Sequence, residues 1–261
     1  MDAAGHPWLA RVIERAARPK RTRAKECKSS FMADPQYSAI VLGATGNVGG
    51  CIVQRLIESA LCKKVVIVTR RKTDAFADPK VSEVVVNMDR LEEELAPHAH
   101  GIDIALAAFG VGKGTAKMPN EQVRKIEIAY PQAFCRAAKA GGARVCGVMT
   151  AAGADPSSKM KYVRIIGEKE KAVESVRFDF LGLYRPALIL GNSNTPGVLG
   201  YFMPLLHWAL PSKYHSIHKN DIARAMVARS EQAFLAIEQG SAPAAPVVKI
   251  LEYKEMEPFL R

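Results

Sequence analysis

The stretch "IVLGATGNVGG", residues 40–50, constrains this chain more than any other. Gly43, Gly46 and Gly49 follow a short apolar run, "SAIVLG", and open a segment with helical periodicity, "NVGGCIVQRLIESAL". Glycines at that spacing permit a tight turn and let the backbone approach a pyrophosphate. The helix N-terminus behind them offers free N–H groups and the positive end of its dipole to the anion. Glycine-rich turns are common, and a bare fold with an empty groove would carry the same triplet. The strand-turn-helix context, followed by another strand in "KKVVIVTR", points to dinucleotide binding. The loop residues Gly43, Thr45, Gly46, Asn47, Val48 and Gly49 are the expected contacts.

From Tyr37 onward strands and helices alternate. "SEVVVNM" and "DIALAAFG" read as the third and fourth strands, "RVCGVMT" as the fifth and "FDFLGLYRP" as the sixth. "NEQVRKIEIAYPQAFCRAAKAGG" reads as one long helix stopped at Gly141–Gly142, and "YVRIIGEKEKAVESV" as the next. "SIHKNDIARAMV" gives a short strand and a helix capped by Asn220 or Asp221, and "APVVKILEYK" a last strand. Such alternation predicts an α/β fold, a Rossmann-like doubly wound parallel sheet covered on both faces. Residues 37–261 are expected to form this domain, with a small C-terminal substrate lobe from about 192. No apolar run reaches the ~18 residues that span a membrane. The apolar stretch "TPGVLGYFMPLLHWAL", 195–210, would cover a cleft or offer a docking surface.

The second strand ends in Thr69 followed by Arg70, Arg71 and Lys72. NAD-preferring folds carry an acid there for the ribose 2′-hydroxyl, whereas cations suit a 2′-phosphate. The expected cofactor is therefore NADP(H), although a solvated charge cluster at a strand end would look the same. Asp89 falls where such folds contact adenine, or where a helix is capped. Phe109 and Gly110 would wall the path past the pyrophosphate, with Lys113 in reach of a phosphate, unless "AFGVGKG" is simply a surface loop.

The formal net charge is +11. Residues 1–36 hold eight basic and four acidic residues, so the body is basic as well. An excess of this sign favours anionic partners: the dinucleotide, RNA contacted through the basic surface, or anionic lipid. In 1–36, "HPWLARVIERAA" puts Trp8, Leu9, Val12, Ile13 and Ala16 on one helical face, and "RPKRTRAKECK" adds six cations. That pattern resembles a mitochondrial presequence, against which Asp2, Glu14 and Glu26 count. A solvated tail or an arm docking protein partners in a larger assembly fits it too, and the cytoplasm is the other compartment. The five cysteines, an odd number without a C-x-x-C, indicate a reducing compartment, not a disulfide framework. His98, His100, His215 and His218 lack neighbouring acidic or Cys ligands, so no metal site is expected.

Taken together, "GATGNVGG", "TRRK", "AAFG", "AAKAGGARV", "GADPSSKMKY", "VRFDFLGLYRPALILG" and "HKNDIARAM" resemble the atypical short-chain dehydrogenase/reductase superfamily over about residues 38–230. Within it the resemblance is to the branch of the Tat-interacting tumour suppressor, close to the NmrA-like and extended enzymes. It implies a Rossmann-like domain, NADP(H) binding, and Arg185–Pro186 beside the nicotinamide. It also implies a Ser-Tyr-Lys set, in which the tyrosine is acid/base, the lysine one turn later holds the ribose and lowers the tyrosine pKa, and the serine orients the substrate. Tyr162 matches the tyrosine, but Ile166 stands at the lysine position. Thr150 keeps a hydroxyl at the fifth strand's end, while Ala151 does not. A free tyrosine with a pKa of ~10 is a poor base at neutral pH. Lys161 points to another face, Lys159 precedes the helix, and Lys169 is displaced by ~10 Å along the axis. The expectation is a cofactor-holding protein with a degenerate catalytic set, acting as a structural or regulatory subunit of a larger, mitochondrial assembly. The alternatives are an active NADPH-dependent carbonyl reductase using Tyr162, and a nucleic-acid-binding module.

Overall fold

The computed structural model describes residues 35–111, 118–191 and 211–260. The basic N-terminal stretch before residue 35, with its expected amphipathic face, Lys113, and the apolar stretch 195–210 lie outside the described residues. Largely apolar runs rich in β-branched or aromatic residues make β1 (Tyr37–Leu42), β2 (Cys62–Thr69), β3 (Val81–Val85), β4 (Ile104–Ala107), β5 (Val145–Met149), β6 (Phe180–Tyr184) and β9 (Val247–Leu251). They form one parallel sheet in the order β3-β2-β1-β4-β5-β6-β9. A separate two-stranded parallel pair joins β7 (Ile189–Leu190) to β8 (Ile217–His218). The stretch read as a C-terminal lobe thus supplies β9 to the main sheet.

Successive side chains on each central strand enter different cores, as the pleat requires. On one face Tyr37, Ala39 and Val41 pack with Val65 and Ile67 of β2 and Ile104 and Leu106 of β4. They meet α1 (Asn47–Glu58) through Ile52, Val53 and Leu56, and α5 (Lys219–Glu238) through Ile222, Met226 and Phe234. On the other face Ile40, Leu42, Val66 and Val68 pack against α2 (Leu91–Leu95) and α3 (120–140), whose Phe134 is fully buried. Burial on both faces explains why these strands read as continuous apolar runs.

Helix α3 runs through Asn120–Arg124, a π-helical turn at Lys125–Ala129, and Tyr130–Ala140, where Gly141 closes it. The π turn has a local cause. Pro131 has no N–H to give the Glu127 carbonyl, and Tyr130 N bonds instead to Lys125 O, five residues back. Helix α4 (Lys161–Glu174) crosses next to α3, and a terminal turn, α6 (Tyr253–Met256), follows β9. The cap of α5 differs from the sequence expectation: His218 accepts from Asn220 N at 3.3 Å, so neither Asn220 nor Asp221 is the capping residue.

Strand order reverses between β1 and β4, the two central neighbours, and the crevice at their C-terminal ends is where a doubly wound sheet binds ligands. Phe134 lies on the helix that forms one wall of this crevice and has no solvent exposure. Phe134→Ala is expected to cost about 3–5 kcal/mol, measured as a lower urea midpoint with an unchanged slope.

Candidate functional site: a groove for a dinucleotide

The turn after β1 forms the floor of the crevice. Gly43 has φ +88, a region that disfavours side chains, and a β-carbon there would meet Ala108 O at 2.4 Å. Gly49 faces the turn from inside α1, and its β-carbon would lie 1.9 Å from Gly43 O. The two glycines therefore do different jobs: one makes the turn, the other lets the helix start close beneath it. Gly46 N bonds Gly43 O at 2.9 Å and precedes α1 with extended backbone and no side-chain cap. The first N–H groups of α1 thus lack a capping side chain at the end where an anion is favoured.

Three adjoining cavities follow this floor. A small one of about 190 Å³ is lined by Gly43, Thr45, Gly46, Thr69, Arg70 and Met88. A second of about 410 Å³ adds Gln122, Lys125, Ile126 and Tyr130. The third, about 530 Å³, runs past Gly46, Asn47 and Val48 to Thr150, Ala151, Tyr162, Ile166 and Pro186. Phe109 and Gly110 line all three. The fold so brings the phosphate loop, the β4 loop and the tyrosine helix onto one groove.

Some expected residues are placed elsewhere. Arg70 lines two cavities, whereas Arg71 and Lys72 are exposed outside them, and Lys72 pairs with Asp74 at 3.2 Å. Asp89 does not line the groove: it accepts from Tyr130 Oη at 2.5 Å and Lys125 Nζ at 2.8 Å, which hold its carboxyl below the usual range. Nor does it cap its helix, since Asn87 is the residue that accepts from Asp89 N. Arg185 turns from the groove and donates from Nε and Nη2 to both oxygens of Glu170. Pro186 alone of that pair lines the cleft.

The tyrosine end is the most informative. Tyr162 is 44% exposed and borders the largest of the three cavities. Burial of its phenol, then the nearby Glu127 carboxylate, pushes its pKa up to about 12. Both effects oppose the phenolate. Ile166, one turn on, is 2% exposed and presents only hydrocarbon. Thr150 Oγ1 donates to Glu170 Oε1 at 2.8 Å and lies 3.2 Å from Tyr184 O. A hydroxyl has one proton, so orienting a substrate acceptor would require leaving Glu170. Lys159 and Lys161 are exposed and do not line the cleft. Lys169 does line it, but its ammonium bonds Phe109 O at 3.0 Å and pairs with Glu127 at 3.3 Å.

Glu127 and Glu170 went unnoticed in the sequence. A usable signal existed. Glu127 interrupts a helical stripe in which Val123, Pro131 and Phe134 are buried, and Lys169 and Glu170 stand between buried Ile166 and Val173. A charge within an apolar stripe demands a buried partner.

Comparison with known proteins agrees with this fold. The chain is 30% identical over 155 residues to protein HTATIP2 of Rattus norvegicus, covering 59% of this chain and 63% of that protein. The chain therefore spans less than two thirds of that relative. It is 28% identical over 236 residues to the mitochondrial protein FMP52-1 of Scheffersomyces stipitis, covering 84% and 96% of the two chains. Among solved structures, BdcA in complex with NADPH superposes with a TM-score of 0.60 at 15% identity over 84% of this chain and 94% of that one. WbmH of Bordetella bronchiseptica, solved with NAD+, gives 0.57 at 16% identity over 83% and 85%. Both support the fold. The NAD(P)H-binding family profile matches residues 43–232, from the first glycine of the phosphate loop into α5, and the chain belongs to that family.

Proposed function

We propose that this protein holds NADP(H) in the groove but lacks a working carbonyl-reduction set, and serves as a cofactor-stabilised structural or regulatory subunit of a larger assembly. The observation that carries this reading is Ile166. It is buried against the cleft at the position where a lysine would hold the ribose and lower the tyrosine pKa. A tuned acid/base group is worth roughly 10²–10⁴ in rate, and a phenol pushed up to about 12 is poorly suited to that task. Thr150, bonded to Glu170, and Ala151 weaken the substrate side of the same cleft. The mitochondrial relatives and the Arg-rich amphipathic start both favour a mitochondrial assembly.

The preference for NADP(H) rests on Arg70. It lines both cavities on the adenosine side, and neither has a carboxylate among its described lining residues. An arginine binds a phosphate through paired N–H groups, while a ribose hydroxyl gains little from it. The reading of an active reductase draws on one favourable fact: Tyr162 and the phosphate loop share a cavity.

Calorimetric titration is expected to give tighter binding of NADPH than NADH, and Arg70→Ala is expected to reduce that ratio about ten- to hundredfold. Tighter NADH binding in the unaltered protein would reject the preference. With NADPH and a broad carbonyl panel, oxidation at 340 nm is expected to match the protein-free blank. Robust turnover lost in Tyr162→Phe would establish the reductase instead. A spectroscopic tyrosine titration is expected to be the same for the unaltered protein and Tyr162→Phe below about pH 11, because this phenol ionises above that range.

A further inference from the structure

Among the described residues lining the 530 Å³ cavity, Glu127 and Lys169 are the charged ones. They are 3% and 2% exposed respectively. Taking two charges out of water is costly, and replacing such a pair by apolar residues is often neutral or stabilising. Their placement therefore calls for an account beyond core stability. The partners they choose supply one. Lys169 Nζ donates to the carbonyl of Phe109 at 3.0 Å, and the amide of Val111 donates to Glu127 Oε1 at 2.8 Å. Gly110 between them lies flat against the carboxylate, since a β-carbon there would meet Glu127 Oε1 at 2.8 Å.

The pair thus grips three consecutive residues from beneath, and those residues form the shared wall of the groove. Phe109 and Gly110 line all three cavities, and Val111 lines two. The two charges come from different helices. Lys169 sits on α4 seven residues after Tyr162, and Glu127 sits in the π turn of α3. Such turns insert a residue into the helix and often accompany functional sites.

We propose that Glu127 and Lys169 are positioning residues for the dinucleotide, acting through the Phe109–Val111 wall. This rests on the dinucleotide reading of the groove. Lys169 does for the wall what a lysine at 166 would do for the ribose: it fixes the nicotinamide end, through the backbone instead of by direct contact. The wall is then already shaped before the cofactor arrives, so less ordering accompanies binding.

The test compares the full chain with the variant E127L/K169M, which removes both charges and both tethers while keeping volume and leaving no unpaired buried charge. NADPH binding is expected to weaken about tenfold, and the Val111 amide to exchange faster with solvent, while the thermal midpoint holds or rises. A core pair without a positioning role would leave NADPH affinity unchanged, and that result overturns the proposal. Tyr37→Phe removes a 2.7 Å bond to Glu231 at the opposite end of β1 and serves as the control for general loosening. If it weakens NADPH as much as the double variant, the proposal also falls. Gly110→Ala presses the wall off Glu127 with both charges in place. It keeps the question open to experiment should the double variant not fold, and unchanged NADPH affinity there counts against the grip. Failure of the unaltered protein to bind NADPH would instead refute the dinucleotide reading, and this inference with it.

Discussion

Among the described glycines, the one with least room for a β-carbon is Gly49, where the first turn of α1 packs against the turn after β1. Gly43 and Gly49 stand where any β-carbon would collide with backbone, the one with Ala108 O and the other with Gly43 O. Because neither neighbour is a flexible side chain, this contact admits no adjustment. It sets α1 close under the sheet end, points the helix N-terminus into the crevice, and brings the β4 loop alongside. Everything else in the groove is arranged around that fixed corner.

The two ends of the groove follow different electrostatic rules. Toward the Arg70 end that arginine lines open cavity, and Lys125 pairs with exposed Asp89 at 2.8 Å. Such exposed charges contribute little to stability but can select an anion. Toward the Tyr162 end the charges are mutually satisfied: buried Lys169 with Glu127, and half-buried Arg185 with Glu170. Glu127 and Lys169 line the cleft already paired with each other, and Arg185 and Glu170 lie outside its lining. Tyr162 borders that end beside a carboxylate that disfavours its ionisation. The groove as a whole fits the dinucleotide binding of the NAD(P)H-binding family.

Much of the architecture was legible from residues alone, for a definite reason. A doubly wound parallel sheet needs apolar strands, and glycine at the phosphate turn is a steric requirement that no other residue meets. Gly141 and Gly142 ended α3 as read. The site was less legible. Asp89 and Arg185 stood at suggestive positions, yet each is bound to a partner brought close by folding: Tyr130 and Lys125 in one case, Glu170 in the other. The π turn also escaped the periodicity, because one proline displaces a hydrogen bond without changing the apolar stripe around it.

The sequence by itself determined the strand-turn-helix corner, the order of elements, and the isoleucine at 166 one turn after Tyr162, since each depends on residue identity at a locally defined position. Only the tertiary structure decided where the remaining charges act. Glu127 and Lys169 lie 42 residues apart and meet because α3 and α4 pack on the same face of the sheet. Their partners, the carbonyl of Phe109 and the amide of Val111, are backbone groups whose position no side-chain pattern encodes. A buried charge can be recognised in a sequence by the stripe it interrupts, but its partner is chosen by packing.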